Sequence, residues 1–151
     1  MVSLLIVAHT PLASALATVA SHVYPECGAS LAVVDVDPGQ SQDDVRDVLR
    51  RKLEWLGSGE VLIATDVFGA TPCNAARDIA REFGDRVRVV AGANVPMLWR
   101  TLCYREATLA DVLERSLVGA SQGVMHVAAS SAQNQGPVIP RHDPQRRHDQ
   151  Q

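Results

Sequence analysis

The chain has 151 residues, of which 46% are hydrophobic and 21% charged, and it carries a net charge of −3 at pH 7. These values predict one globular domain. They argue against nucleic acid as the primary partner, because a phosphate backbone requires a basic surface. No apolar run approaches the roughly 20 residues of a membrane span, and the first residues lack the basic segment of a signal peptide. The three widely spaced cysteines fit a reducing cytoplasm, with neither a disulfide framework nor a zinc site.

Short runs of Val, Ile, Leu and Ala alternate with longer amphipathic stretches in the first 128 residues. Four runs lack strict alternation of apolar and polar residues, which is typical of parallel strands covered on both faces: Leu4–Ala8, Leu31–Val36, Val61–Thr65 and Val87–Ala91. Amphipathic patterns predict five helices, over residues 12–23, 42–56, 72–83, 95–104 and 109–121. A last short strand is predicted at Val124–Ala128.

This order of elements predicts an open, mainly parallel α/β sheet with right-handed crossovers and helices on both faces. Two helix starts are well marked. Ser41 begins a capping box, and Thr71 is predicted to cap the third helix, with Pro72 as its first residue. From about Ala129 the chain becomes polar and rich in Pro and Gln. We therefore predict a folded domain over residues 1–128 and a disordered tail over residues 129–151.

Two polar residues end neighbouring strands of this predicted sheet. Ligands of an open α/β sheet meet the carboxyl ends of the strands, where the strand order reverses. In a flavodoxin-like order 2-1-3-4, the first and third strands are neighbours about 4.8 Å apart. His9 and Asp66, which end these strands, are therefore expected to face one another. A carboxylate that holds one imidazole nitrogen fixes the tautomer and leaves the other nitrogen free as a nucleophile.

The loop Phe68-Gly69-Ala70-Thr71 leads into the start of the third helix. Its backbone N–H groups, the Thr71 hydroxyl and the helix dipole would together bind an oxyanion or a phosphoryl group. Beside a nucleophilic histidine, this predicts phosphoryl transfer through phosphohistidine. The residues alone leave two alternatives open: a satisfied polar pair at two strand ends, and a nucleotide-binding, receiver-like domain. The loop lacks the Gly-Lys-Ser/Thr of a Walker A motif.

Four segments occur in an order that points to one family: Ile6–His9, Val34–Gln40, Asp66–Ala76 and Ala91–Leu98. Together they resemble the enzyme IIA component of the mannose (mannose/fructose/sorbose) family of the bacterial phosphoenolpyruvate-dependent sugar phosphotransferase system. The resemblance covers about residues 1–128. Its most specific parts are Asp66–Ala76, which reads D-x-x-G-[GA]-[ST]-P-x-N-A-A, and the G-x-N-x-P-M pattern that begins at Gly92.

The resemblance implies a sheet completed by a short fifth strand exchanged between the subunits of a homodimer. It also implies a histidine that accepts a phosphoryl group from the phosphocarrier HPr. His9 aligns with this histidine, and Asp66 aligns with the carboxylate beside it. Thr71 aligns with a hydroxyl residue of the phosphoryl-binding loop. No metal or cofactor is expected, because the phosphoryl group arrives on another protein's histidine. Residues assigned to a docking rim for the partner are Pro11, Phe68 and Met97.

The chain departs from the family pattern at Thr10-Pro11, where a glycine often follows the histidine; Pro11 has no N–H to donate. The tail is too short to be the IIB domain that follows in many members. We therefore expect a cytoplasmic phosphotransferase that passes the phosphoryl group to a separate IIB component in sugar uptake, with at most indirect membrane association. The alternative is a regulatory phosphoprotein of an incomplete system. The related phosphotransfer subunit of dihydroxyacetone kinase is a third possibility, which the Asp66–Ala76 block disfavours.

Overall fold

Strands and helices alternate along the part of the chain that the computed structural model describes, residues 1–127. The elements are β1 (Ser3–His9), α1 (Leu12–Val23), β2 (Leu31–Val36), α2 (Gln42–Trp55), β3 (Val61–Thr65), α3 (Thr71–Phe83), β4 (Val87–Ala91), α4 (Val95–Cys103) and α5 (Leu109–Gln122). Short 3-10 segments at Pro25–Ser30 and Gly84–Arg86 lead into β2 and β4. The predicted tail, residues 129–151, lies outside the described residues.

The four strands form one parallel sheet in the order β2-β1-β3-β4, which confirms the predicted 2-1-3-4 order. In the register of the sheet, His9 pairs with Val36 of β2, and Val7 pairs with Thr65 of β3. The last residue of β1 therefore lies next to the residue that follows β3. This switch point is where the order of the strands reverses and where a ligand of such a sheet is expected.

Helices cover both faces of the sheet, because successive side chains of a strand point to opposite sides. On one face, Leu4 and Ile6 pack with apolar residues of α1, α4 and α5. On the other face, Leu5 and Val7 pack with apolar residues of α2 and α3. Six of the seven β1 residues are consequently buried, and only His9 emerges at the carboxyl end. The core thus fixes the backbone that carries His9.

The predicted caps of α2 and α3 can be compared with the observed helix starts. The predicted capping box is confirmed: Asp44 N–H donates to Ser41 Oγ at 3.1 Å, and Ser41 N–H donates to Asp44 Oδ2 at 3.2 Å. The predicted cap of α3 is wrong by one residue. Ala70 occupies the N-cap position in an extended conformation, and Thr71 is already helical. Pro72 still lies in the first turn, where its fixed φ and missing N–H are tolerated.

The helices α4 and α5 pack closely because Gly119 of α5 and Gly123, the residue that caps its end, face α4. An added Cβ at Gly119 would overlap the side chain of Arg100, and one at Gly123 would overlap the ring of Pro96. Thr101 and Ser116 also join the helices through a buried hydrogen bond of 2.7 Å between their hydroxyl oxygens. This contact sets the position of α5 and hence the point from which the chain leaves the domain.

The predicted last strand is not formed in the single chain. Val124–Val127 has no regular secondary structure, and residue 128 lies outside the described range. The physical reason is that a strand needs a neighbour to pair its N–H and C=O groups, and a second subunit was the predicted neighbour. Exchange between subunits stays a prediction. Among the helices of the described part, none is long and apolar enough to cross a membrane.

Candidate functional site

His9 and Asp66 meet at the carboxyl edge of the sheet, as their positions in the sequence predict. The His9 Nδ1 atom lies 2.6 Å from Asp66 Oδ2. The backbone N–H of His9 donates to the same oxygen at 2.9 Å. One carboxylate oxygen therefore holds both the main chain and the ring of the histidine, which fixes the ring orientation.

Asp66 is itself held in place from two directions. The N–H of Val67 donates to Asp66 Oδ1 at 2.8 Å, and the N–H of Gly92 donates to the Asp66 carbonyl oxygen at 2.9 Å. Partial burial by itself raises the pKa of the Asp66 carboxyl, but the hydrogen bonds from His9 and Val67 outweigh it and lower the pKa below its ordinary value of 3.8. Asp66 is therefore a carboxylate at neutral pH.

The two partners differ sharply in exposure. The Asp66 side chain is 11% exposed, whereas the His9 side chain is 52% exposed. Because Nδ1 is engaged by Asp66, Nε2 is the ring nitrogen left for reaction. The arrangement presents one ring nitrogen for reaction, with a largely buried negative charge on the other side of the ring that stabilises positive charge on it.

The loop after β3 carries the features of an anion site next to this pair. Gly69 has a φ of +87°, a conformation that glycine adopts without strain. A side chain of α3 stabilises the loop, since Asn74 Nδ2 donates to the Gly69 carbonyl oxygen at 2.9 Å. Ala70 has no side-chain acceptor, so it leaves the first N–H groups of α3 without a side-chain cap. Those N–H groups and the Thr71 hydroxyl are the donors that an anion would meet here.

The residues predicted for partner docking divide into two groups. Pro11 is exposed at the start of α1, and Phe68 is 77% exposed at the tip of the loop after β3. Met97 is only 1% exposed and packs in the core, so its prediction as a docking residue is wrong. The side chain of Asn94 accepts the N–H of Met97 at 3.0 Å and caps α4. This cap sets the first turn of α4 with Met97 on its buried side.

The end of β2 contributes two further carboxylates that the sequence motifs did not assign to the site. Asp37 accepts the Thr10 hydroxyl at 2.6 Å. Asp35 accepts the N–H of Ser14 at 3.2 Å and also the Ser14 hydroxyl. The sequence could have indicated that these residues lie near His9, because β2 neighbours β1 in the predicted order and both carboxylates lie at the carboxyl end of β2. The adjacent Pro38-Gly39 is typical of a turn, so the sequence is equally consistent with a turn role for both residues.

Three cavities of the described part lie away from His9. Two of about 290 and 490 Å³ lie along α4 and α5, and one of about 370 Å³ lies beside β2 and α2; neither His9 nor Asp66 lines these three. Within residues 1–127 there is also no group of three or more His, Cys, Asp or Glu side chains arranged to hold a metal ion. The half-exposed ring of His9 is therefore not enclosed by any of these three cavities.

Two comparisons of the sequence with known proteins point to the same family. The family model for the fructose IIA component of the phosphotransferase system (PTS) matches residues 3–117. The fructose-specific EIIA component of Bacillus subtilis (strain 168) is 37% identical over 70 residues, which are 46% of this chain and 47% of that protein. The match therefore spans about half the length of this curated relative.

Solved structures show the same fold. The EIIA component of Streptococcus agalactiae superposes with a TM-score of 0.76 at 23% identity, over 83% of this chain and 97% of that one. The mannose/sorbose-specific IIA subunit of Enterococcus faecalis gives a TM-score of 0.77 at 21% identity, over 85% and 96%. Since the family model matches most of the chain, the chain belongs to the family of PTS IIA components.

Proposed function

We propose that this protein transfers phosphoryl groups: His9 accepts one from phospho-HPr and passes it to a separate IIB-type acceptor during sugar uptake. The observation that carries the proposal is the 2.6 Å contact of His9 Nδ1 with Asp66, which leaves Nε2 exposed as the nucleophile. Membership of the PTS IIA family supports the same reaction. This function places the protein in the cytoplasm with its proposed partners.

The step is a displacement at phosphorus between two histidines. The lone pair of His9 Nε2 attacks the phosphorus, a new N–P bond forms, and the N–P bond to the donor imidazole breaks with its electron pair returning to the donor ring. Positive charge develops on the His9 ring, and the Asp66 carboxylate stabilises it through Nδ1–H. The oxygens of the transferred group would be bound by the N–H groups at the start of α3 and by the Thr71 hydroxyl.

The openness of the site favours a protein as the phosphoryl donor. Small-molecule substrates are usually enclosed in clefts of roughly 300–1,000 Å³, whereas the His9 side chain is 52% exposed. The exposed apolar side chains nearby, Val67 and Phe68, suit burial against another protein surface. A donor that brings its phosphoryl group on its own surface fits this geometry.

Reconstitution of the transfer chain tests the function. Incubation of the protein with enzyme I, HPr and phosphoenolpyruvate should increase its intact mass by about 80 Da, the mass of one phosphoryl group. Omission of HPr should prevent the increase. Subsequent addition of a IIB component from the same genome should remove the label. Retention of the label in the presence of every available IIB component would favour the regulatory alternative, and failure to label would contradict the function itself.

We also propose a homodimer in which Val124–Ala128 forms a fifth strand on the partner's sheet. Among the described residues β4 pairs only with β3, so its other edge carries unpaired backbone groups. The residues after α5 are apolar and largely exposed in the single chain: Val124, Met125 and Val127. Exchange of this segment about a two-fold axis would cover these side chains and pair the open edge.

Truncation separates the role of this segment from that of the tail. A protein that ends at Ala129 should sediment as a dimer and retain labelling of His9, because the removed residues are mostly polar and rich in Pro and Gln. A protein that ends at Ser121 should be monomeric or aggregate, since it lacks the whole exchanged segment. Sedimentation of the full-length protein as a monomer at micromolar concentration would rule out the exchange.

A further inference from the structure

The segment that joins His9 to α1 is tied to β2 by side chains as well as by the main chain. Only Thr10 and Pro11 lie between β1 and the first helical residue. The N–H of Thr10 donates to the carbonyl oxygen of Val36 at 3.1 Å, and its hydroxyl donates to Asp37 Oδ1 at 2.6 Å. The Thr10 hydroxyl has a single proton, which it donates in the hydrogen bond to Asp37. This hydroxyl therefore does not serve as a donor to an anion on His9.

The first turn of α1 is capped from outside the helix. Pro11 occupies the N-cap position and has no polar side chain, so it cannot accept a first-turn N–H. Asp35 supplies the missing acceptor, because its Oδ1 binds the N–H of Ser14, the third helical residue, at 3.2 Å. Its second oxygen accepts the Ser14 hydroxyl. A carboxylate at this end of a helix is also favoured by the helix dipole.

Asp37 is held in turn by the loop that follows β2. Its N–H donates to Gln40 Oε1 at 2.8 Å, and its carbonyl oxygen accepts the N–H of Gln40 at 3.2 Å. Gly39, inside this turn, has a φ of +92°. The turn therefore fixes the carboxylate to which Thr10 is bonded, and the fixed end of β2 fixes the segment after His9.

We propose that Asp35 and Asp37 are positioning residues for the transfer reaction, acting on His9 through Ser14 and Thr10. The inference rests on the proposed function of His9. Its physical basis is that one Asp66 oxygen binds both the His9 N–H, at 2.9 Å, and the His9 ring, at 2.6 Å. A shift of the His9 backbone lengthens both bonds, frees the ring to rotate and moves Nε2 away from the line of attack. Because reaction rates fall steeply with such misplacement, the β2 carboxylates should affect the rate of transfer.

The Thr10–Asp37 bond gives the sharpest test. Thr10→Val removes the hydroxyl and keeps the shape of the side chain, whereas Thr10→Ser keeps the donor. We expect Thr10→Val to lower the transfer rate at saturating phospho-HPr about tenfold, with the half-saturating HPr concentration within about twofold of wild type. Thr10→Ser should restore most of the rate. Thr10→Val combined with Asp37→Ala should be no slower than the slower single variant, because both changes remove the same bond.

A matched control exists at the start of α5. Thr108 donates to Asp111 Oδ2 at 2.8 Å in an exposed Thr–Asp pair far along the chain from His9. Thr108→Val removes the same kind of Thr–Asp bond together with the helix cap, because Thr108 Oγ1 also accepts the N–H of Asp111 at 3.3 Å. Its melting temperature therefore gives an upper bound for the structural cost of losing such a bond. If Thr10→Val slowed transfer no more than Thr108→Val, or changed only the half-saturating concentration, the positioning role would be overturned.

A second readout does not depend on phosphoryl transfer. The ¹⁵N shifts of the His9 ring in the unphosphorylated protein should indicate one dominant tautomer, with Nδ1 bonded to Asp66, and Thr10→Val should produce a mixture. Failure of wild type to accept phosphoryl groups would contradict the proposed function while leaving this readout intact. Unchanged ring shifts in Thr10→Val would contradict the positioning role by itself.

Discussion

His9→Ala is expected to abolish phosphorylation of this protein by phospho-HPr. The substitution removes Nε2, the nitrogen that the Asp66 contact leaves free at the surface, and no other described histidine lies beside a carboxylate at a strand end. Intact-mass measurement should show no increase of about 80 Da. The wild-type label should be lost in acid and stable in base, as expected for a phosphoramidate.

His22→Ala provides the matched control for this experiment. His22 is an exposed histidine in the last turn of α1, away from the carboxyl edge of the sheet. The control should be labelled at the wild-type rate. Persistence of the label in His9→Ala, or its location on Ser or Thr in wild type, would contradict the mechanism.

Asp66→Asn is expected to leave the protein able to accept a phosphoryl group, but at a rate lower by a factor on the order of 10²–10⁴, the range for groups that orient or stabilise charge in such a step. The amide keeps the shape of the side chain but removes the negative charge behind the ring, so positive charge on His9 loses its counter-charge. Stopped reactions analysed by mass give the rate. Asp85→Asn, at an exposed aspartate in an ion pair with Arg88, is the control that should leave the rate unchanged.

Asp66 also predicts a pH dependence of stability. Its pKa is lower in the folded protein than the ordinary value of 3.8, so the unfolded state binds a proton more readily. The stabilisation is therefore fully present above about pH 4 and is lost as the pH falls through the lowered pKa. The difference in the free energy of unfolding between wild type and Asp66→Asn should shrink on acidification. A difference that is constant from neutral to acidic pH would mean that the carboxylate charge contributes nothing.

The fold and the central pair of the site could be predicted because they depend on chain order. Apolar runs predict the strands and the amphipathic stretches between them predict the helices. A 2-1-3-4 order then puts the ends of the first and third strands side by side. His9 and Asp66 are the residues at those ends. No side-chain detail was needed, since the pairing of parallel strands fixes which residues become neighbours.

What could not be predicted depends on which way a side chain points and on what it contacts. Met97 was assigned to the docking rim, but the Asn94 side chain caps a helix that places Met97 in the core. Thr71 was expected to cap α3, yet the chain is already helical there. The roles of Asp35 and Asp37 rest on contacts with residues 21 and 27 positions away, which no local pattern records.

The unequal exposure of the pair has a consequence for the lifetime of a phosphorylated His9. The protein covers most of the Asp66 side chain, whereas about half of the His9 side chain stays open to water. A phosphoryl group at Nε2 would therefore be exposed to hydrolysis between encounters, and only a bound donor or acceptor could exclude water from it. The surface of the bound partner would then complete the enclosure of the phosphoryl group. The lifetime of phospho-His9 would therefore depend on the fraction of time that a donor or acceptor protein is bound, as well as on the intrinsic rate of hydrolysis.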